Sequence, residues 1–408
     1  YAVDVPGANT NLSFISFIHI NSLPFLENIE RIVLMNIKAR FIQYLQSKYD
    51  SWNNAESTML LNTLISEQLI SETVLELPAK ALNDIQTEIA AYYQLRHWGE
   101  NQLKDQYSVY NLPVPHNEGV CTSYDFHWTT ENELKLIEIN TNAAFLALGT
   151  ELYDFHKTKS SFSTADIVDM FSNEAQLCGR ALKTLTITDE DPQNQRLYIE
   201  FLLYQKIMEQ RGIKTEIKDI SEINSDESSD LIYNRYTDFY LNDPIKSKAI
   251  HESYLAGKIN LSPNPYEYFL LADKQRMIDW QHQTDLPVPK SLLKTYDLGI
   301  AEREMIWSER KKLFFKPKNS FGSKQAYKGA AVSHKTFDDF YGPSMLAQEY
   351  AQPAEVDVLV GTEKLKMKYD LRCYAYQGKL QIVIARLYQG QTTNLKTTGG
   401  GFTIVKFI

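Results

Sequence analysis

From Pro24 to about Tyr110 the apolar positions fall at helical spacing. Ile29, Val33, Ile37, Phe41 and Leu45 recur every four residues, and Ala81, Leu82, Ile85, Ile89 and Tyr92 repeat the stripe. Pro24 and Pro78 stand where helices can begin. The spacing predicts a helical region over residues 1–110 that packs on a larger body, with His97 and Trp98 as interface residues rather than chemistry.

Past Pro113 and Pro115 the texture changes. Val120 to Thr141 reads as two strands joined around Thr129–Glu133, a hairpin within residues 111–150. Thr164 to Leu177 returns to helix. An apolar strand (Leu182–Thr188), the loop Asp189-Glu190-Asp191-Pro192 and a helix from Asn194 to Arg211 come next. Gly212 ends that helix as a C′ glycine, and Ile213–Ile217 and Leu231–Tyr233 follow as strands. This βαβ pattern predicts a parallel, three-layer α/β domain over 151–260. From Leu261 onward, a helix over 266–282, a strand over 312–316 and a hairpin over 369–387 predict an α+β unit spanning 261–408.

Length and charge narrow the function classes. The 408 residues exceed one ordinary core, which stops growing near about 250–300 residues. A net charge of −9 argues against nucleic acid as a partner. No apolar stretch approaches the roughly 18 residues of a membrane span, and Phe14 to Ile18 is far too short. No signal-peptide pattern precedes it. Cys121, Cys178 and Cys373 form no Cys-x-x-Cys pair, which fits a reduced, cytoplasmic compartment and excludes a thiolate zinc site.

Four constellations could carry chemistry. Asp125 and Glu138 belong to the hairpin, and Asn140 lies two residues beyond Glu138, on the same face. If the turn is the two-residue Glu131-Asn132, Asp125 falls directly opposite Glu138, and three oxygen donors of the kind magnesium prefers converge. A turn one residue longer would put Asp125 on the wrong face. Secondly, Lys274 lies in a helical stretch, and Lys316 ends the strand Leu313-Phe314-Phe315. The small, basic loop from Asn319 to Lys328 follows and could close over phosphates, although it lacks P-loop spacing. Thirdly, the strand Met345 to Tyr350 ends in Gln348, Glu349 and Tyr350, where backbone groups could meet adenine. Fourthly, Asp370-Leu371-Arg372 opens a hairpin that returns through Arg386 to Asn394 and the triplet Gly399-Gly400-Gly401. A strict two-residue turn there puts Arg372 and Arg386 on opposite faces, so both can serve one site only if a bulge intervenes.

Together these segments resemble the ATP-grasp superfamily, over about residues 120 to 408. The stretch from Asp370 through Asn394 and the glycines looks like ribosomal-protein glutamate ligases. There the Asp…Glu-x-Asn set follows that stretch, whereas here Asp125, Glu138 and Asn140 precede it. The inverted order resembles circularly permuted ATP-grasp ligases, typified by glutathionylspermidine synthetase, with a pre-ATP-grasp α/β domain. Ser123 stands where that family often has arginine. The resemblance implies an ATP- and magnesium-dependent ligase that joins a small-molecule carboxylate to an amine. Asp125, Glu138 and Asn140 would hold magnesium; Lys274, Lys316 and Lys328 would contact ATP phosphates; and Gln348, Glu349 and Tyr350 would meet adenine. Arg386 and Asn394 would be catalytic and Arg372 would bind substrate. The alternatives are a nucleotide-binding module without turnover and a small-molecule kinase.

Overall fold

The computed structural model describes residues 36–224, 226–319, 326–391 and 393–408. The expected helix start at Pro24, with Ile29 and Val33, and residues 320–325 of the basic loop lie outside the described residues. Asn36 caps the helix Ile37–Lys48 by accepting the Ala39 N–H, and that helix buries Ile37, Phe41, Ile42 and Leu45. Pro78 precedes the long helix Ala79–Gln102, which buries Ala81, Ile85, Ile89 and Tyr92 of the expected stripe and leaves Leu82 half-buried. Trp98 Nε1 donates to Asp285 at 2.8 Å, an interface contact, and His97 pairs with Glu100.

Among the described residues the strands form three sheets. The largest joins β1 (Leu75–Leu77), β2 (Thr122–Trp128) and β3 (Leu134–Asn140) to β12 (Glu355–Val360), β13 (Glu363–Tyr376), β14 (Lys379–Tyr388) and β15 (Gly401–Phe407). Its order is β1-β15-β14-β13-β2-β3, with β12 also on β13. A parallel sheet of order β5-β4-β6-β7 contains β4 (Thr184–Asp189), β5 (Lys214–Asp219), β6 (Leu231–Asn234) and β7 (Leu261–Ser262). An antiparallel sheet of order β10-β9-β11-β8 is built from β8 (Thr295–Asp297), β9 (Leu313–Pro317), β10 (Tyr327–Lys328) and β11 (Met345–Glu349).

The parallel sheet follows the expected βαβ pattern. Its helix runs Tyr198–Glu209, starting later than Asn194 because Pro192–Asn194 winds into a 3₁₀ turn. Gly212 takes a φ of +76°. Its N–H meets the Glu209 carbonyl at 3.0 Å while Ile213 reaches back to Met208 at 3.1 Å, the helix-ending arrangement that favours glycine. The strand order reverses direction at β4, so a crevice opens beyond the carboxyl ends of β4 and β6.

Two bulges set which side chains share a face of the large sheet. The β2–β3 turn is longer than the two-residue one expected: Thr129 N–H donates to the Glu133 carbonyl, with Asn132 at φ +59°. That shift alone would turn Asp125 away. Ile137, however, is an extra residue, because Phe126 faces Leu136 while Asp125 faces Glu138. The bulge cancels the longer turn and restores the expected pair. In β13–β14 the tight turn at Gln377-Gly378 has φ of 50° and 71°, as a two-residue hairpin requires. Gln381 is the extra residue there, between the pairs Ala375–Leu380 and Tyr374–Ile382. Arg372 and Arg386 therefore lie on one face.

The helix Ala79–Gln102 covers the opposite face, where Ile85, Ile89 and Tyr92 pack with Tyr124, Phe126, Cys373 and Val383. On the arginine face, Phe145, Leu148 and Leu152 at the helix Leu146–Phe155 pack on Ile382, Ile384, Phe402 and Ile404. The helix expected over 266–282 is divided. Pro265–Glu267 runs into a π-helical turn at Tyr268–Ala272, Asp273 is extended, and Gln275–His282 begins a new helix. Lys274 thus caps the second helix instead of lying inside one.

Candidate active site

A cavity of about 540 Å³ lies where the three sheets meet. Hairpin β2–β3 contributes Asp125, Glu138 and Asn140, and the antiparallel sheet contributes Lys316, Gln348 and Glu349. Lys274, Tyr350, Arg372, Arg386 and Asn394 complete the expected set on its wall. Lys328 does not line it; its Nζ sits 4.2 Å from the centre of the Tyr350 ring.

The lysines occupy one side. Lys316 Nζ donates to the Ile137 carbonyl at 2.6 Å and to Gln348 Oε1 at 2.9 Å. The bulge that restores the hairpin register thus also presents the carbonyl that receives this lysine. Burial pushes the Lys316 ammonium down to about 7, with Glu138 opposing the shift and Lys274 adding to it. Lys274 Nζ stands 3.5 Å from Glu138 Oε2.

The arginines occupy the sheet centre. Arg372 Nη2 lies 3.0 Å and Arg386 Nη2 2.8 Å from Asp125 Oδ2. Asp125 Oδ1 accepts from Ser123 Oγ at 2.9 Å and Arg372 Nε at 3.3 Å. Burial alone would raise the Asp125 carboxyl, but the two guanidiniums outweigh it and hold it below the usual carboxylate range. Both oxygens are therefore occupied by cationic or hydroxyl donors, and Asp125 does not fit as a magnesium ligand in this arrangement. The backbone put it on the expected face, but the arginines on the neighbouring strands, whose register the sequence left open, claimed it. Glu138 and Asn140 do fit as donors to a hard cation, since a carboxylate and an amide oxygen both face the cavity. Asn140 Oδ1 also accepts the Asn142 N–H at 3.0 Å. Among the described residues no group of three or more His, Cys, Asp or Glu side chains could hold a metal.

The strand expected to meet adenine is more committed than its sequence suggests. The Glu349 N–H donates to the Lys294 carbonyl and the Tyr350 N–H to the Lys312 carbonyl, both at 2.8 Å. Neither can serve as a donor to a base. Gln348 is spent on Lys316 and on Met277 Sδ, at 3.3 Å. Asn394 closes its own loop, donating to the Gln389 carbonyl at 2.8 Å and accepting the Lys396 N–H at 3.0 Å. The triple glycine serves close packing: a Cβ on Gly401 would come within 2.6 Å of the Gln68 carbonyl oxygen, and one on Gly400 within 2.5 Å of that of Leu387.

Sequence reasoning missed several wall residues. His127, two positions from Asp125 and so on the same face, meets the Ala351 carbonyl through Nδ1 at 2.7 Å. A carbonyl only accepts, so Nδ1 carries the proton, and burial holds the imidazole below its usual range. Strand periodicity could have found it. Asp370 pairs with Arg386, and its place in Asp370-Leu371-Arg372 was the available signal. At the β4–β6 crevice, burial raises Asp189 to about 6, and Arg235 Nη1 donates to the Asn142 carbonyl at 2.8 Å. Only the strand order brings these two to the cavity.

By sequence, no protein-family model and no curated protein matches the chain. Solved structures do. A glutathione synthetase-like effector from Globodera pallida, in apo form, matches with a TM-score of 0.56 at 10% identity, over 83% of this chain and 90% of that one. A protein described as a putative γ-glutamylcysteine synthetase from Methylobacillus flagellatus KT gives 0.45 at 11% identity, over 82% and 89%. The ATP-grasp ligase PsnB, complexed with minimal precursor, Mg and ADP, gives 0.28 at 9%, over 54% and 88%. The likeness to the effector is one of fold: the chain shares the mixed α/β fold of that protein.

Proposed function

We propose that the protein is an ATP-dependent carboxylate–amine ligase of circularly permuted ATP-grasp type. The observation that carries this reading is the meeting of Lys274, Lys316, Arg386, Glu138 and Asn140, drawn from distant parts of the chain, on one cavity. The hairpin β2–β3 precedes β13 in sequence yet pairs with it in space, Asp125 opposite Arg372, which supports permutation.

In this reading ATP phosphates lie between Lys274 and Lys316 on one side and Arg386 on the other. Magnesium, held by Glu138 and Asn140, would supply charge neutralisation for the phosphates. A substrate carboxylate attacks the γ-phosphorus, giving an acylphosphate and releasing ADP. An amine then attacks the acyl carbon, phosphate leaves and an amide forms. Such transfer needs positioning and electrostatic stabilisation more than covalent help from the protein. The two lysines bind and orient the phosphates, and the walls of the cavity exclude water from the acylphosphate.

The test is ADP release with pools of carboxylates and amines, together with trapping by hydroxylamine. Carboxylate-dependent ADP release that yields a hydroxamate supports the ligase. A stable phosphorylated product would make it a kinase, and nucleotide binding without release would make it a non-catalytic module.

A further inference from the structure

Four charged groups alternate in sign across the centre of the large sheet: Asp370, Arg386, Asp125 and Arg372. Asp370 lies opposite Arg386 in the β13–β14 ladder, and Arg372 opposite Asp125 in β13–β2. The bulge at Gln381 brings both arginines to one face. Arg386 Nε and Nη2 donate to the two Asp370 oxygens at 2.7 and 2.9 Å, and Nη2 also reaches Asp125. Among the described residues the remaining nitrogen, Nη1, has no protein partner, and Arg386 lines the cavity. Arg372 differs, because its third nitrogen, Nη1, is taken by the Ala144 carbonyl at 3.3 Å. One arginine is wholly engaged, and the other keeps one edge of its guanidinium available.

We infer that Asp370 is a positioning residue that acts through Arg386. The inference rests on the ligase reading above. A guanidinium on a flexible stem samples many orientations, whereas a bidentate carboxylate fixes its plane. Asp370 grips the Nε–Nη2 edge and so aims Nη1 into the cavity, where charge would spread over the transferring phosphoryl oxygens. The four charges sum to zero, so the network does not act as a strong anion trap before reaction. A contact aimed in advance counts most where negative charge develops. Asp125 bridges the two arginines and keeps Arg386 from swinging toward solvent. Arg372, held on three sides, fixes Asp125 in turn.

The test compares binding of ADP with binding of ADP plus aluminium fluoride, both with magnesium, to the whole protein. The fluoride complex mimics the phosphoryl group in transit. Wild type is expected to bind ADP more tightly when the fluoride is present. In Asp370→Asn that enhancement should fall by about tenfold or more, while affinity for ADP alone does not fall, since losing the carboxylate leaves the network net positive. Arg386→Ala should lose the same enhancement, and the double variant should lose nothing further, because one residue acts through the other. If Asp370→Asn does not fold, Asp370→Glu keeps the charge, displaces it by one methylene, and should lose enhancement in the same direction. Full enhancement in the Asp370 variants, or additive losses in the double variant, overturns the inference alone. Wild type that binds ADP without any fluoride enhancement overturns the phosphoryl-transfer reading, and the inference with it.

Discussion

Raising the pH should weaken nucleotide binding through Lys316, and the size of the effect can be worked out. The ammonium is buried between the Ile137 carbonyl and Gln348, and burial pushes it down to about 7 from an ordinary 10.5. Under the proposed function, phosphate oxygens arriving beside it would replace neutral acceptors with full negative charges, and so favour the charged lysine. Above pH 7 the free protein must take up a proton to bind. Each further pH unit should therefore cost close to tenfold in affinity, or about 1.4 kcal/mol. Between about pH 7.5 and 9.5 the protonated fraction falls from about 0.24 to about 0.003, an expected loss of about 75-fold. That range lies above the ionisation of the phosphates themselves, near pH 6. Titration calorimetry in buffers of different ionisation enthalpy should show uptake approaching one proton at the upper end. Lys316→Met should bind weakly and show no such pH dependence. A wild-type affinity that stays flat, with heats independent of buffer, would mean that Lys316 is already charged and would refute the reasoning.

The same lysine bears on stability. Its folded value lies below its unfolded one, so the unfolded chain binds more protons between about pH 7 and 10.5 and stability rises with pH across that window. Lys316→Met should accordingly raise the Tm at pH 7, and a lowered Tm would count against the burial argument. Arg372→Ala should destabilise the protein by about 3–5 kcal/mol in denaturant titration, because it breaks a buried pair. Arg386→Ala also breaks buried pairs, with Asp125 and Asp370, and should in addition depress kcat, by analogy with the roughly 10³–10⁵ effect of arginine fingers. Loss of kcat in the Arg372 variant alone would exchange their catalytic roles. Burial first, then the neighbouring Glu267, raises Glu118 to about 7 from 4.5, beside Tyr93, whose hydroxyl donates to it at 2.7 Å. Stability from this group is present below pH 4.5 and lost as pH rises toward 7, so Glu118→Gln should flatten the pH dependence of Tm over that window.

Periodicity made the elements legible. The βαβ unit with its ending at Gly212, the stripe from Ala81 to Tyr92, and the hairpin around Thr129–Glu133 all follow from local spacing. What the spacing could not carry was register. A bulge adds one residue without changing composition, so neither Ile137 nor Gln381 announces itself. In the first hairpin the longer turn and the bulge cancel, and Asp125 meets Glu138 by a route other than the one expected. In the second hairpin the bulge decides that Arg372 and Arg386 act together. The occupation of Asp125 was out of reach for a related reason: it depends on β13 lying beside β2, a pairing that local pattern does not encode. The strand Met345–Glu349 shows the same limit, because the partners of Glu349 and Tyr350 come from Lys294 and Lys312, on neighbouring segments.

The pairing of β2 with β13 also governs when the site can exist. Asp125 and Arg372 are separated by 247 residues, a stretch that takes about 12–50 s to synthesise at the usual rate of roughly 5–20 residues per second. Throughout that interval β2 has one antiparallel neighbour, β3, and an open edge on its other side. The carboxylate of Asp125 waits there without either guanidinium, and Tyr124 and Phe126 on the opposite face wait for Cys373 and Val383. Such long-range closure makes folding slow, and an unpaired strand edge invites the wrong partner. A nascent chain of this protein is therefore expected to depend on chaperones in the window between the emergence of β3 and that of β13.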